Sequence, residues 1–445
     1  MNSKNNITEG VIWKQILLFF FPILIGTFFQ QLYNTVDAVV VGRFAGKEAL
    51  SCVSGSSAQF VNFIVGFFTG LSAGSTVVIS QFFGAKDEER LDTSLHTSYA
   101  FACIGGIIFG IIGIVFAPSI LKVMDTPESL LAGSLLYLRI YFAGLIFVFV
   151  YNIGSSILRA IGDSKRPLYI LMICCGINII LDVLFVCAFH LNVLGAAVAT
   201  LLSQAVSSLL VTFLLMFRTP QLTLRLKDIR IDKGILTQIL RIGFPSGIQS
   251  SMYNISNIII QTALNAFGVN TVAAWGALGK IDSIIWMVYG AFAISITTFV
   301  GQNYGAGKYD RIRKGTAVTF AMCFASIGVI TLLLVTFSGT LLSIFTTDKE
   351  VTDIGILMLN ILARGYIAYT FVQIFAAVLQ AEGTVLVPTL ITLCGTCIFR
   401  IVWIKVIVPS GTLTQILSCY PLTWITCGIL FIFYFTWKQK KILKG

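Results

Sequence analysis

Apolar residues follow one another through this chain in runs longer than any soluble core can use. Stretches 135–151 and 422–437 are nearly unbroken, and 105–117 joins apolar neighbours on both sides. A helical bilayer crossing takes about 20 apolar residues. Twelve such segments are legible, starting near Val11, Ser54, Ser94, Leu131, Arg166, Val193, Ile235, Ala274, Gly315, Ile354, Val387 and Thr414. The runs are long and continuous, unlike the short alternating strands of an outer-membrane barrel. The reading is therefore an all-α integral membrane protein with twelve transmembrane helices. Composition agrees: 57% of residues are hydrophobic and 11% charged, where a soluble domain carries about a quarter charged. The first run holds Gln30, Gln31, Asn34 and Asp37 and lacks a small-residue cleavage site, which excludes a cleaved signal.

The chain also repeats itself at half its length. Leu158-Arg-Ala-Ile-Gly162-Asp-Ser-Lys-Arg-Pro167 returns 221 residues later as Leu379-Gln-Ala-Glu-Gly383-Thr-Val-Leu-Val-Pro388. At the same offset Gln81-Phe-Phe-Gly84-Ala85 matches Gln302-Asn-Tyr-Gly305-Ala306, and Gly144 matches Gly365. Phe21-Pro22 and Tyr33-Asn34 recur as Phe244-Pro245 and Tyr253-Asn254. Such self-similarity marks a duplicated domain. It divides the chain into an amino-terminal six-helix lobe (1–217), a basic linker (218–233) and a carboxyl-terminal six-helix lobe (234–445). An even number of helices per repeat gives both halves the same orientation, so they are parallel repeats. Two pseudo-symmetric lobes that rock about a cleft would give alternating access.

The net charge of +11 is a topology signal rather than a sign of nucleic acid. With the amino terminus and the even-numbered connections on one side, that side holds 21 of the 30 basic residues. Among them are Lys4, Lys86, Arg166, Arg225, Arg311 and Lys444. Basic residues mark cytoplasmic loops, so both termini are expected inside, on a multi-pass protein of the cell (inner) membrane. Cys394-Gly-Thr-Cys397 has no further Cys or His to complete a metal site, and His96 and His190 stand alone. Gly42-Arg-Phe-Ala-Gly46-Lys47 and Gly276-Ala-Leu-Gly279-Lys280 miss the phosphate-loop pattern. The expectation is a carrier and not an enzyme, binding no nucleotide or nucleic acid, with no cofactor beyond H⁺ or Na⁺ and acting as a monomer.

Ionisable groups within membrane segments mark function. Three acids lie well inside apolar runs: Asp37, Asp182 and Asp282. Gln30, Tyr33, Asn34 and Asp37 form one polar stripe at helical spacing. Asn178 and Asp182 are four apart on the fifth segment, and Thr200 lies early in the sixth. Counting residues at 1.5 Å each puts Asp37, Asp182 and Thr200 at one level, roughly 12 Å below the outer surface. In the second half Asn254, Asn257, Gln261 and Asn265 make a polar face without charge, and Asn257 stands where Asp37 would recur. Titratable chemistry is thus concentrated in the amino-terminal lobe. Gly66, Gly70 and Gly74, with Gly105-Gly106, are read as close helix packing. Pro22 and Pro245 each remove a backbone hydrogen bond at matching places and are read as hinges. Arg139, Arg364 and Arg400 are cations within the apolar segments, open to structural pairing or to binding an anion.

Taken in order, Thr8-Glu9-Gly10, Gln30-Gln31-Leu-Tyr33-Asn34-Thr-Val-Asp37, Val41-Gly42-Arg43-Phe44, Asn178-Ile-Ile-Leu-Asp182, Gly195-Ala-Ala-Val-Ala-Thr200 and Gly301-Gln302-Asn303 resemble the multidrug and toxic compound extrusion (MATE) transporters, in their bacterial DinF-related branch. The resemblance implies two six-helix lobes around a central cavity. It also implies export of organic, often cationic or aromatic, compounds against H⁺ or Na⁺. Under it Asp37, Asn178, Asp182 and Thr200 are the cation-coupling residues, and Gln30, Tyr33, Asn34, Asn254, Asn257, Gln261 and Asp282 are candidates for lining the substrate cavity. Another branch places a Glu on the seventh helix. None occurs between Ile235 and Ala266, so that site is not carried over. Two competing readings are a flippase for lipid-linked oligosaccharides or other amphiphiles, and a non-transporting membrane scaffold or receptor.

Overall fold

The computed structural model describes residues 7–407 and 411–442. Lys4 and Lys444, counted above on the cytoplasmic side, lie outside the described residues. The first half runs through α1 (Ile12–Val40), a π-helical stretch Val41–Ala45, α2 (Gly46–Ser54), α3 (Ser56–Ala85), α4 (Glu88–Val123), α5 (Glu128–Ala143), α6 (Leu145–Ala160), α7 (Lys165–Asp182), a second π stretch Val183–Ala188 and α8 (Asn192–Phe217). The second half has α9 (Lys233–Asn265), α10 (Val269–Gly305), α11 (Tyr309–Thr336), α12 (Ser338–Ser343), α13 (Lys349–Ala381), α14 (Leu386–Thr392), α15 (Phe399–Val402), α16 (Leu413–Leu417) and α17 (Cys419–Ile442). Further π stretches, Leu393–Ile398 and Trp403–Ile407, sit on either side of α15.

Backbone amides within a bilayer must be satisfied inside their own segment, and the described residues comply by being helical almost throughout. Among the described residues ten helical segments are long and apolar enough to cross a membrane, and the bent pair α5–α6 makes an eleventh. The twelfth span is α9. At 33 residues it is long enough to cross, but Gln249, Asn254, Asn257 and Gln261 make it more polar than the rest. Apolar side chains such as Val115, Phe116, Leu209, Phe217, Leu332 and Phe433 remain exposed, as a protein solvated by lipid tails requires.

The longest of the repeated sequence motifs turns out to be a helix end. After α6, Gly162 (φ 93°) lets its own N–H reach Arg159 O and that of Asp163 reach Leu158 O, each at 2.9 Å. After α13, Gly383 (φ 81°) repeats the pattern with Gln380 O at 2.9 Å and Leu379 O at 2.8 Å. This is a left-handed C-cap that satisfies the last carbonyls of the helix. The 221-residue echo survives because both copies need the same stop.

Contacts form two compact units, and these do not follow the repeat boundary in the sequence. One unit is Phe21–Gly247. The other is Ile7–Phe20 together with the chain from Ile248 onward. The first turns of α1 therefore belong with the second repeat, and the first turns of α9 with the first. Each helix changes unit next to its internal proline, Pro22 or Pro245.

In the first unit, a small-residue crossing makes this possible. A Cβ on Gly70 would lie 2.6 Å from the backbone of Ser246 and Gly247, and one on Gly74 only 2.2 Å from Ile239 O. Gly243 and Gly247 present the reciprocal face to Leu71 and Phe67. The expected packing role of Gly70 and Gly74 is thus realised. Gly105 and Gly106 likewise meet Phe149 and Ile146 across α4 and α6. In the second unit Phe20 of α1 stacks on Phe292 of α10, with ring centroids 4.2 Å apart.

The connections dock rather than hang loose. His96 on α4 holds the segment between repeats: its Nε2 accepts from Arg225 N at 3.1 Å, and its Nδ1 is 2.8 Å from Asp92 O. The accepting Nε2 places the proton on Nδ1. Thr97 bonds Arg230 O and Asp232 N. In the second unit Arg311 donates to the carbonyls of Ile7, Glu9 and Gly10. Lys438 pairs with Glu382 at 2.6 Å. Within each unit, the connections assigned above to the basic side lie against each other.

Filling the α3–α9 crossing should be costly. Gly74→Val is expected to destabilise the protein by about 3 kcal/mol, the upper range for overpacking. Gly290→Ala, which meets open space, should be near neutral. Thermal melting in detergent separates the two outcomes.

Candidate cation-coupling site

The amino-terminal acids lie where regular helix gives way to π helix. Asp37 is in the last turn of α1, just before Val41–Ala45, and Asp182 is the last residue of α7, just before Val183–Ala188. The two π stretches pack on one another and on α8. Stretches of this kind recur at functional sites because the extra residue re-aims the side chains around it. One helical turn beyond Asp37 is Val41, one turn beyond Asp182 is Val186, and one turn before Thr200 is Ala196. All three are fully buried, and they share one apolar cluster with Val40, Val53 and Ala197. The polar layer is therefore capped on its π-helical side by a dry plug.

All four residues assigned to cation coupling are buried: Asp37 is 8% exposed, Asn178 and Asp182 0%, and Thr200 4%. They are also short of partners. Asp37 Oδ1, both carboxylate oxygens of Asp182 and both side-chain polar atoms of Asn178 make no hydrogen bond. Among the described residues neither carboxylate has a basic side chain within salt-bridge distance. The two acids are close enough to feel each other's charge. Tyr33 lies beside Thr200 and, like Tyr137 on α5, in the neighbourhood of both acids.

Buried polar groups in folded proteins are nearly always paired, so a cluster of orphaned oxygens calls for an explanation. Burying two neighbouring carboxylates without a cation is costlier still. The set of two carboxylates, an amide and a hydroxyl can accept a proton at either Asp. Its hard oxygen donors equally suit a small hard cation.

The rest of the polar stripe on α1 divides. Tyr33 and Asp37 occupy one edge and enter the cluster. Gln30 and Asn34, about 60° further round the helix, stay exposed, and Asn34 donates to Gln31 Oε1 on its own helix at 3.5 Å. In the second half, α9 satisfies its polar face along its own length. Asn254 donates to Ser250 O at 3.1 Å and Gln261 to Asn265 Oδ1 at 2.9 Å, while Asn257 is exposed. Asp282 lies elsewhere, among aromatic rings, where Trp286 donates to its carboxylate and Tyr366 stands beside it. Arg139 and Arg364 are exposed, and only Arg400 is buried. Cys394 and Cys397 fall on the π stretch Leu393–Ile398 as free thiols, one exposed and one buried. Among the described residues no group of three or more His, Cys, Asp or Glu could hold a metal.

Paired six-span repeats, with a buried cluster of acids in one of them, define a polytopic carrier of the duplicated-lobe kind. The family model MatE matches the chain twice, over residues 22–184 and 245–404, each match opening on one of the paired prolines. The chain belongs to the MatE family. It is 32% identical to the probable multidrug resistance protein YoeA of Bacillus subtilis (strain 168), over 97% of this chain and 96% of that one. It is 23% identical to the multidrug export protein MepA of Staphylococcus aureus (strain MSSA476), over 84% and 83%. Among solved structures, the outward-facing conformation of a multidrug resistance MATE family transporter of the MOP superfamily superposes with a TM-score of 0.92, at 23% identity and full coverage of both chains. That likeness establishes the fold: twelve transmembrane helices in two lobes.

Sequence reasoning missed Tyr137 and the aromatic surroundings of Asp282. The pairs Trp286/Tyr289 and Tyr366/Tyr369, each three apart and so on one helix face, were the available signal.

If the acid cluster is kept at the expense of stability, neutralising it should firm the fold. Asp182→Asn is expected to stabilise the protein by about 1–3 kcal/mol, read as a higher melting temperature at pH 8 in sodium-free buffer.

Proposed function

We propose that this protein exports small organic compounds across the cell membrane in exchange for H⁺ or Na⁺, with Asp37 and Asp182 as the coupling acids and Asn178 and Thr200 completing the ion site. The observation that carries this reading is the set of buried, cation-free oxygens on Asp37, Asn178 and Asp182. Export of drug-like compounds follows from the names of the relatives, multidrug resistance and multidrug export proteins. An ion entering the cluster removes the cost of its charge, and its departure restores that cost, so occupancy biases the conformational equilibrium. A cationic substrate acts on the same balance and competes with the ion.

The protein acts as a monomer with both termini in the cytoplasm and needs no cofactor besides the coupling ion. Its two lobes are built mainly from the repeats 1–217 and 234–445, joined by 218–233, with the first turns of α1 and α9 assigned to the opposite unit. Pro22 and Pro245, where α1 and α9 change unit, are the points that bend during alternating access. Gln30 and Asn34 on α1, and Asn254, Asn257, Gln261 and Asp282 in the other half, remain candidates for contacting substrate. A flippase for pyrophosphate-linked amphiphiles would call for converging cations. In the second unit Arg364 is exposed while Arg400 is buried, so the two do not share one environment.

In proteoliposomes with imposed H⁺ and Na⁺ gradients, Asp37→Asn is expected to fold and to lose gradient-driven transport of an organic cation by at least tenfold. Normal coupled transport by this variant would remove the coupling assignment. For the wild type, binding of a cationic substrate should weaken as pH falls or as sodium rises. A titration flat in both would overturn exchange. Pro22→Ala and Pro245→Ala each restore a backbone hydrogen bond. They should slow turnover severalfold while leaving equilibrium substrate affinity near that of the wild type.

A further inference from the structure

The second unit buries a cation that no carboxylate among the described residues pairs with. Arg400 is 2% exposed. One face of its guanidinium is covered by Tyr420, 4.1 Å from the ring centroid, and Trp424 flanks it at 5.7 Å. Nε donates weakly to Thr423 Oγ1 at 3.4 Å. No other hydrogen bond reaches the guanidinium, and among the described residues no carboxylate comes within the 4.0 Å of a salt bridge. The nearest acid in this cluster, Asp282, is held by Trp286, whose ring lies edge-on to Trp424 at 5.8 Å. Two rings thus stand between the acid and the arginine.

Arg400 also occupies a meaningful position. At the repeat offset of 221, Phe399 falls on Asn178. The π stretch Leu393–Ile398, which the first repeat lacks at this point, inserts one residue. That insertion moves Arg400 onto the place of Asn178. On the following span Thr423 is the residue to which Arg400 donates. Where one lobe buries an acid cluster, the other buries a cation.

We propose that Arg400 is a binding site for the carboxylate of an aromatic anion or zwitterion. With Nε turned to Thr423 and one face under Tyr420, the two terminal nitrogens are left as a planar fork. That fork matches a carboxylate in bidentate geometry. Trp424 is itself packed among Tyr366, Tyr369 and Tyr420, and from it the half-buried Trp286 carries the aromatic wall on to Asp282, which offers a place for a cationic group. The inference rests on the transporter reading for what the anion is, a substrate, but not for whether it binds.

The test uses the full chain in nanodiscs of uncharged phosphatidylcholine, titrated with benzoate and with benzamide as its neutral isostere. Binding is followed by tryptophan fluorescence and calorimetry. Saturable benzoate binding is expected, with benzamide at least tenfold weaker. Arg400→Gln should weaken benzoate at least tenfold while leaving binding of an organic cation unchanged, which also shows that the variant folds. Arg400→Lys, which keeps the charge and loses the fork, should fall between. If Arg400→Gln does not fold, the Arg400→Lys comparison decides. Asp37→Asn should leave benzoate binding intact, so failure of the coupling assignment and failure of this site read out separately. Equal affinity for benzoate and benzamide, benzoate binding indifferent to both Arg400 variants, or no saturable benzoate binding would each overturn the proposal.

Discussion

The amino-terminal unit is organised around two carboxylates taken out of water without a basic partner. Everything nearby can be seen as accommodation of that cost. Both acids stand at the point where an α helix passes into a π stretch, and α8 brings the buried hydroxyl of Thr200. Tyrosines, not lysines or arginines, approach the acids. The apolar cluster of Val40, Val41, Val186 and Ala196 closes the layer on one side. A lysine in any of these places would have given a cheaper fold, with the charge permanently satisfied and nothing left for a mobile ion to do.

The second unit resolves its polarity differently. Its equivalent helices hold an arginine under aromatic rings and an acid behind a tryptophan. The duplicated scaffold has therefore kept its stops and crossings while the buried chemistry has diverged. Gly162 and Gly383 end their helices in the same left-handed conformation, yet Asn257, at the place of Asp37, is exposed and uncharged.

Much of this was legible in the chain itself. Charge inside an apolar run is conspicuous, so Asp37 and Asp182 announced themselves. Helical spacing tied Asn178 to Asp182, and residue counting put Thr200 beside them. The polar stripe on α1 divides between a buried and an exposed edge, which spacing cannot show, because it tells that residues share a face but not how much of it a neighbour covers. Gln30 and Asn34 fell outside that cover. The π stretches could not be read, since their apolar pattern does not differ from that of α helix. Aromatic residues such as Tyr137, Trp286 and Trp424 carry no mark separating a pocket wall from ordinary packing. The interchange of the first turns of α1 and α9 was also invisible, because it is a matter of tertiary contact.

That interchange bears on how such a molecule could have arisen. Each compact unit is completed by a half-helix encoded in the other repeat, so neither repeat is a finished object alone. A half-length precursor would have had to lend the start of its first helix to a second copy and borrow one in return. Its smallest stable form would have been a swapped homodimer. Fusing the two genes then made the loan permanent and freed each copy to mutate by itself. An acid cluster in one half and a solitary arginine in the other are what such independence allows.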